Sequence, residues 1–341
     1  MTTILYILLA ILAFGAMIFL HELGHFATAR WFGVAVHEFS IGMGPRLCGF
    51  RGKTGTAYNL RLIPFGGYVS MKGENEEESG NDSFSEKKAW QRFIIIAAGA
   101  VMNILLAVVI CFALTLGDTL GSTTVHSFRE DATSDAWLQA GDRILEVNGV
   151  RVHVADELSY EIMHDGYKPV DVLVDRGGTE VLLTGVEFPT LSAEGMLFGR
   201  ADFWVVPAEK TVGSVLMHTW FKSVSTVKMI WESLLDLLFG KVGFEAVSGP
   251  VGVTEAIGEA ASTGAYDLFY LLGVLSMNLG VFNLLPIPAL DGGRLVFLLF
   301  EIIFRRKVPQ KFEGAVHFIG IVLLLGLMVL VTFKDVVKLF G

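Results

Sequence analysis

Residues 4–25, ILYILLAILAFGAMIFLHELGH, join a long apolar run to two histidines and a glutamate. The run from Ile4 to Leu20 is long enough to cross most of a bilayer as a helix. Residues four apart share a helix face, so His21 and His25 can present two imidazoles to one Zn²⁺, with Glu22 beside them as a general base. The alternative is a pair of helix histidines packed against neighbours, because this short pattern also arises by chance.

The composition places the chain among membrane proteins. Hydrophobic residues make up 52% of the 341 residues and charged residues only 18%, and the mean hydropathy is +0.56. Three stretches read as spanning helices, about 4–29, 93–116 and 314–333, and a fourth, about 268–290, runs into prolines at its end. The first run has no basic residues before it and no small-residue cleavage site after it, so we expect it to be a retained helix.

Cysteines and charge exclude other classes of function. Two cysteines, Cys48 and Cys111, cannot form a disulfide framework or a thiolate zinc site, so nitrogen and oxygen would have to hold any metal. The net charge of −9 comes from acidic loops, and no basic stripe indicates a nucleic-acid partner.

Lysine and arginine concentrate in the connection between the first two spans and in the short connection before the last span. Because positive charge stays on the cytoplasmic side, both connections should be cytoplasmic, and the N-terminus, the long middle segment and the C-terminal tail should lie outside. The predicted layout is a membrane catalytic part over 1–119, an extracytoplasmic domain over 120–200, an interfacial segment over 201–262 and a second membrane part over 263–341.

Helix rise places a third candidate ligand at the depth of the histidines. From Ile4 to His21 the rise is about 26 Å, and from Leu268 to Pro286 it is about 27 Å. The prolines at 286 and 288 stop the regular helix, so Asp291 can meet the two histidines. A carboxylate inside the membrane is a functional candidate, although Asp291 could instead cap a helix that starts near Arg294.

Other candidate ligands fit less well. The longer zinc-protease pattern needs glycine at 28 and histidine at 31, where the chain has Thr28 and Trp31. The acidic run of Glu74, Glu76, Glu77 and Glu78 indicates a solvated loop. The remaining histidines are expected to be surface or packing residues: His37, His126, His153, His164, His218 and His317.

The stretch 34–71 has glycines at positions 42, 44, 55, 66 and 67, among others, and strand-like alternation over 58–63. It predicts a β-hairpin that dips into the membrane and whose edge could pair with an extended peptide, and the alternative is an ordinary cytoplasmic loop.

HELGH at the end of a first span, combined with NLLPIPALDGG over 283–293 in a later one, closely resembles the site-2 protease family of intramembrane zinc metalloproteases. The resemblance implies that His21, His25 and Asp291 bind Zn²⁺ and that Glu22 is the catalytic base. It also implies a substrate-positioning role for Asn283. The segment RLIPFGGYV over 61–69 resembles the re-entrant β-element of that family, which adds Leu60, Leu62, Gly66 and Gly67 as substrate-positioning candidates.

Residues of about 120–200 change to short strands and turns. LQAGDRI over 138–144, followed by VNG over 147–149, resembles PDZ domains, with a helix expected over 156–164 and strands over 170–174 and 181–186. A Gly-Leu-Gly-Phe carboxylate loop is missing, so a filter for trimmed substrates is expected in place of C-terminal peptide binding. The following segment 211–239 is expected to be an amphipathic interfacial helix. SGPVG over 248–252 resembles a loop of related bacterial enzymes that would help to gate substrate entry.

We therefore predict a polytopic α-helical membrane protein with four transmembrane helices, a membrane-associated β-hairpin and an inserted PDZ-like α+β domain. By resemblance to bacterial members with one PDZ domain, it is a Zn²⁺-dependent protease of the bacterial inner membrane with its active site near the cytoplasmic face. Its partners would be membrane lipid and single-span membrane proteins, such as anti-sigma factors, signal-peptide remnants or pheromone precursors, already cut by an upstream site-1-type protease. The alternative is a non-catalytic membrane scaffold with a structural zinc site and a partner-binding PDZ domain.

Overall fold

The computed structural model describes residues 2–74, 80–193, 196–243 and 247–340. The chain divides into two compact units. The first comprises residues 1–107 together with 247–341, and the second comprises residues 108–246.

Four helices in the described part of the chain are long and apolar enough to cross a membrane, which confirms the predicted number of spans. Each has an 18-residue window with a mean hydropathy between 1.4 and 2.8, and most of the side chains in these windows are not buried inside the protein. Such surfaces suit contact with lipid. The helices are α1 (Thr2–Trp31), α2 (Ala89–Gly117), α6 (Ala265–Leu284) and α8 (Gln310–Phe340).

The third span ends at Leu284, so the expected end near residue 290 is wrong. Proline at 286 lacks an N–H and disfavours helical geometry in the residue before it. Accordingly, Leu285 is extended, with φ −65° and ψ 146°. After an irregular turn, a separate helix α7 (Asp291–Phe304) begins, and α8 follows it.

The predicted β-hairpin is present as β1 (Val36–Arg51) and β2 (Ala57–Met71), which pair antiparallel. Both strands bend, so that residues 38–41 of β1 pair with residues 57–60 on one side and with residues 67–70 on the other. Residues 46–51 pair with the other edge of residues 57–61. Gly42, Gly44 and Gly66 have φ near +80°, which lets the chain fold back at these bends. The edge segments of this small sheet are therefore residues 46–51 and 67–70.

The second unit contains a mixed strand and helix region with a closed apolar core. The sheet has the order β10-β3-β4-β6-β7, and β5 pairs with β4. The core includes Val125, Ile144, Ile162 and Val172, all fully buried. The elements are β3 (Gly121–Phe128), β4 (Arg143–Val147), β5 (Val150–Arg151), α3 (Ala155–Asp165), β6 (Val170–Arg176), β7 (Thr179–Val186), β8 (Thr190–Ala193), β9 (Met196–Gly199) and β10 (Phe203–Pro207).

The predicted helix over 156–164 and the strands over 170–174 and 181–186 correspond to α3, β6 and β7. The strand β10 lies beyond the expected domain end at residue 200. It pairs antiparallel with β3, the first strand of the same sheet. Because this contact joins residues about 80 positions apart, no local periodicity indicated it.

Helix α4 (Val212–Leu238) occupies the segment in which an amphipathic helix was expected. Thr211 begins it with a capping box, in which its side chain accepts from the backbone N–H of Ser214 and the Ser214 hydroxyl accepts from the Thr211 N–H. Its charged face pairs with α3 within the same unit, because Lys222 contacts Asp156 at 3.1 Å.

Residues 250–263 form a helix, α5 (Pro250–Thr263), where the sequence suggested a gating loop. Proline is favoured in the first turn of a helix, so the Gly-Pro start is compatible with a helix N-terminus. The carboxylate of Asp335 in α8 accepts the N–H groups of Gly249 at 2.9 Å and Gly252 at 3.0 Å. The start of α5 is thereby attached to the fourth span.

Candidate metal centre

Helix α1 presents His21 and His25 on one face, one turn apart, as the HELGH spacing predicts. Their Nε2 atoms lie 3.2 Å from each other. Oδ2 of Asp291 lies 3.2 Å from each of these two nitrogens. The structure therefore brings together the three residues that the sequence proposed as metal ligands.

Asp291 reaches the histidines because it is the first residue of α7, directly after the irregular turn. The residue at the N-cap position of α7 is Leu290, and Asp291 is already the first helical residue. Gly292 and Gly293 leave room for the first turn of α7 to pack on the preceding residues of the chain. A Cβ at 292 would lie 1.9 Å from the carbonyl oxygen of Leu285. The capping role considered for Asp291 is thus wrong.

The donor set and its spacing fit zinc. Tetrahedral Zn²⁺ bound at 2.0–2.2 Å by nitrogen and oxygen requires ligand atoms roughly 3.3 Å apart, close to the observed triangle. Among the described residues, Oδ2 of Asp291 is buried and has no hydrogen-bond donor, as a metal-ligating oxygen would be. The same three residues form the only His, Cys, Asp and Glu group in the described ranges that could hold a metal.

Helix α2 orients both imidazoles. Nδ1 of His25 lies 2.9 Å from the carbonyl oxygen of Ile95, which can only accept, so Nδ1 carries the hydrogen and Nε2 is free to bind metal. The amide of Asn103 lies 3.2 Å from Nδ1 of His21. Asn103 is fully buried, and rotation of its amide turns an otherwise unpaired oxygen toward that Nδ1. The contact with Ile95 fixes the tautomer of His25 that ligation requires, and Asn103 does the same for His21 when its amide oxygen faces Nδ1.

Close approach of α1 and α2 depends on two glycines. A Cβ at Gly99 would lie 2.3 Å from Nε2 of His25, and a Cβ at Gly24 would lie 2.4 Å from the carbonyl oxygen of Ala98. The sequence analysis missed Gly99 and Asn103. The sequence signal that could have indicated them is a small and a polar residue four positions apart in an apolar span. A polar group inside a membrane segment is a functional candidate.

Glu22 is buried, with 8% of its surface exposed, and its carboxylate interacts electrostatically with both histidines and with Asp291. Gly67 of β2 lies against it, since a Cβ at this position would be 2.9 Å from Cγ of Glu22. The backbone of the edge segment 67–70 therefore begins beside the side chain that would act as general base.

The other substrate-positioning candidates are distributed around the sheet. Gly66 has φ +78° and lies at the bend before the edge segment. Leu60 and Leu62 lie on β2 with exposed side chains. Asn283 is on α6, where its amide donates to the carbonyl oxygen of Leu279 at 2.9 Å. Of the five candidates, Gly67 is thus the one that the described contacts place against Glu22.

A polar cluster holds the bent strands together. Oε1 of Glu38 accepts from Ser40 at 2.5 Å, from Arg61 at 2.6 Å and from Asn59 at 2.7 Å. Burial alone would raise the pKa of Glu38, but these hydrogen bonds outweigh it and lower the pKa to about 2. Glu38 is therefore a carboxylate at neutral pH, and its pair with Arg61 keeps both charges satisfied within the sheet.

The expectation of a solvated acidic run is wrong for Glu74. Its carboxylate forms an ion pair with Arg294 of α7, and its side chain is only 9% exposed. Nε of Arg294 also lies 3.6 Å from Oε1 of Glu313 in α8. The position of Glu74 depends on this long-range partner, which the local sequence does not reveal. Glu76, Glu77 and Glu78 lie outside the described residues.

Comparison with known proteins agrees with this site. Residues 9–327 match the model of peptidase family M50. The chain belongs to peptidase family M50, the site-2 proteases. This M50 protein is 37% identical over 336 residues to a protein of Clostridium perfringens whose name assigns it to the zinc metalloproteases, covering 98% of this chain and 99% of that one. It is 30% identical over 414 residues to the regulator of sigma-W protease RasP of Bacillus subtilis. The match covers 97% of this chain and 98% of that protein.

A similarly named protein of Fusobacterium nucleatum is 36% identical over 342 residues, covering 98% of this chain and 99% of that protein. Membership of family M50 and these full-length relatives make the chain a zinc metalloprotease, with Zn²⁺ as its cofactor. Together with the four apolar helices, they make it a multi-pass membrane protein.

Proposed function

We propose that this M50 protein is an intramembrane endoprotease that hydrolyses peptide bonds in the transmembrane segments of single-span membrane proteins. The observation that carries the proposal is the triangle of His21, His25 and Asp291, with Glu22 adjacent. His21, Glu22 and His25 lie on α1, a helix that can cross a membrane, and Asp291 follows the turn at the end of α6, another such helix. A soluble substrate would not require a site within such helices.

Each residue of the site has a distinct role in this proposal. His21, His25 and Asp291 hold the zinc, with their tautomers and positions set by α2 and by the turn before α7. Bound Zn²⁺ supplies Lewis acidity and lowers the pKa of water toward neutrality. Glu22 accepts a proton from the attacking water and later returns it to the leaving amine. Burial of Glu22 excludes bulk water from this proton transfer.

The small sheet offers a means of holding the substrate extended. A helix hides its peptide bonds in its own hydrogen bonds, so the substrate must unwind before cleavage. Within the described part of the chain, the edge segment 67–70 pairs with β1 on one side and with no strand on its outer side, and it starts beside Glu22 at Gly67. We propose that the unwound substrate adds to this edge, with Gly66, Leu60, Leu62 and Asn283 in supporting positions.

The second unit is proposed to contain a PDZ-like domain that admits only trimmed substrates. The sheet with α3 packed on its core supports the domain type. The loop before the edge strand β10 carries Asp202, a fully buried carboxylate that accepts from the N–H of Thr133 at 2.7 Å and the hydroxyl of Ser134 at 2.6 Å. These bonds attach the start of β10 to residues 133–134, and the proposal of a filter in place of a peptide-binding site rests on the missing Gly-Leu-Gly-Phe loop.

We further propose that the positively charged connections lie in the cytoplasm of a bacterial cell and the PDZ-like domain outside the inner membrane. The name of the Bacillus relative, a regulator of sigma-W protease, supports anti-sigma factors as a substrate class. Signal-peptide remnants and pheromone precursors have the same single-span form. An upstream site-1-type protease would supply the trimmed substrate.

The decisive experiment compares the native chain with Glu22→Gln and with His21→Ala on a single-span substrate in detergent or vesicles. Glu22→Gln keeps all three ligands and is expected to retain stoichiometric zinc while losing about 100-fold or more in cleavage rate. His21→Ala is expected to lose both zinc and cleavage. A chelator should abolish cleavage by the native chain, and added Zn²⁺ should restore it.

The same experiment tests the scaffold alternative. A non-catalytic scaffold with structural zinc would bind the substrate in all variants and yield no chelator-sensitive product. Cleavage that is equal in the native chain and Glu22→Gln would contradict the role of Glu22.

A further inference from the structure

The turn between α6 and α7, residues 285–290, is held from outside by the fourth span. Ala289 in this turn has φ +80°, a left-handed conformation that residues with a side chain rarely adopt. Asp291 follows two residues later. A backbone held away from its ordinary conformation next to a ligand requires contacts that keep it there.

His317 of α8 provides such a contact. Its Nδ1 accepts the backbone N–H of Ala289 at 3.3 Å, so Nε2 must carry the hydrogen of the neutral ring. In the described part of the chain, this Nε2 is buried and has no hydrogen-bond partner. A leucine would fill the same space without burying an unpaired N–H, so the packing role expected from the sequence does not explain this histidine.

A second residue on the same face of α8 shapes the turn. Gly320 lies three residues after His317, and a Cβ at this position would come within 2.5 Å of the backbone carbonyl carbon of Pro288. The backbone of the turn therefore lies directly on α8. The side chain of His317 is hydrogen-bonded to the turn, and the absence of a side chain at Gly320 leaves room for it.

We propose that His317 is a positioning residue for the zinc ligand Asp291, acting through the N–H of Ala289. The hydrogen bond of His317 goes to the backbone of the turn and not to the carboxylate of Asp291. It fixes the turn so that Oδ2 of Asp291 completes the triangle with His21 and His25. Loss of this contact releases the turn, and the entropy of a mobile ligand weakens zinc binding. The inference rests on the proposed metal centre, and its test uses zinc affinity besides activity.

Three variants separate the hydrogen bond from the volume of the side chain. His317→Leu keeps the volume and removes the acceptor. His317→Asn places an amide oxygen near the position of Nδ1, whereas His317→Gln places its amide one bond farther out, near the position of Nε2. The dissociation constant for zinc is measured on the full purified chain in detergent by competition with a chromophoric chelator, and the thermal unfolding of the metal-free protein is recorded in parallel.

We expect His317→Leu and His317→Gln to weaken zinc binding by about 10- to 100-fold, as do other losses of outer contacts to metal ligands. His317→Asn should stay within about threefold of the native dissociation constant, since it restores the acceptor. Native affinity in His317→Leu would overturn the proposal. So would an Asn variant as weak as the Leu variant, because the hydrogen bond would then not be the cause.

Gly320→Ala gives an independent test that leaves His317 in place. It should weaken zinc binding by pushing the turn away from α8. Gly326→Ala is the matched control in the same helix, because a Cβ there meets no atom within 4 Å. Equal zinc affinity in the two glycine variants would contradict the proposed contact.

Failure of the proposed function remains distinguishable from failure of this inference. If the single-span substrate is not cleaved but the zinc affinities follow the expected order, only the proposed function fails. If the substrate is cleaved but all His317 variants bind zinc as the native chain does, only the role of His317 fails.

Discussion

Replacement of Gly99 by alanine is expected to destroy the metal centre from the side of α2. The added Cβ would lie 2.3 Å from Nε2 and 2.7 Å from Cε1 of His25, and 2.8 Å from Cε1 of His21. Ordinary contact begins at 3.4 Å, so the His25 ring would have to move by about 1.1 Å. Zinc sites tolerate deviations of about 0.2 Å in ligand distances, roughly a fifth of this displacement.

The ring cannot move away without losing its other contact. Nδ1 of His25 is hydrogen-bonded to the carbonyl oxygen of Ile95, which lies one turn before Gly99 on α2. A shift of α2 as a whole is opposed by the contact of Gly24 with Ala98. We therefore expect the loss of at least one ligand. Complete four-ligand sites bind zinc with about 10–16 kcal/mol, so one ligand contributes about 3 kcal/mol and its loss weakens binding by about 100-fold.

The assay is chelator competition for zinc on the purified full chain, with cleavage of a single-span substrate as a second measurement. Gly15→Ala in α1 is the control, because its Cβ meets nothing within 4 Å while the gain in helix propensity is the same. A Gly99→Ala variant that binds zinc within about threefold of the native chain would refute the close approach of α2 to the imidazoles.

Gly67→Ala is expected to lower kcat/KM by about 10- to 100-fold with an unchanged zinc dissociation constant, because its Cβ would press on Cγ of Glu22; a parallel loss of zinc would refute this. In the second unit, burial would raise the pKa of Asp142, but hydrogen bonds from Arg176 lower it. Asp142→Asn should therefore cost about 2 kcal/mol of unfolding free energy at pH 7, measured by thermal unfolding of the separately expressed domain. Because the folded carboxylate binds its proton less readily than the unfolded one, this difference should shrink as pH falls below about 4, and a constant difference would exclude the ion pair as its cause. Zn²⁺ at about 100 times its dissociation constant should stabilise the native chain by about 2.7 kcal/mol and His21→Ala, which lacks one ligand, by no more than about 0.4 kcal/mol, as thermal unfolding would show.

The grouping of His21, His25 and Asp291 was predictable because it depends on regular geometry. The fourfold spacing of His21 and His25 is a property of any α-helix, and a rise of 1.5 Å per residue fixes depth in a bilayer. The prolines at 286 and 288 indicated that the regular helix stops before Asp291, although the span was expected to reach about residue 290 and ends at Leu284. Each of these signals is local, and the membrane supplies the common reference that relates two distant segments.

The supporting residues were not predictable in the same way. Gly99 and Asn103 matter because α2 packs on the histidine face of α1, and an apolar span shows no sequence pattern for which neighbour it meets. The helix α5 was hidden for a related reason. Its first turn is satisfied by Asp335, which lies 83 residues after Gly252 in the chain. Long-range contacts decide these elements, and one sequence does not reveal them.

The two halves of the site differ in how firmly the fold holds them. His21 and His25 belong to one continuous helix and are both oriented by α2, so the positions of this pair depend on regular helix geometry. Asp291 stands at the end of an irregular turn whose described outside contacts include His317 and the close approach of Gly320. A variant on the turn loosens one ligand, whereas Gly99→Ala displaces the imidazoles themselves. The zinc dissociation constant should therefore rise from the native chain to His317→Leu and again to Gly99→Ala, and the reverse order would mean that the turn, not the helix pair, organises the centre.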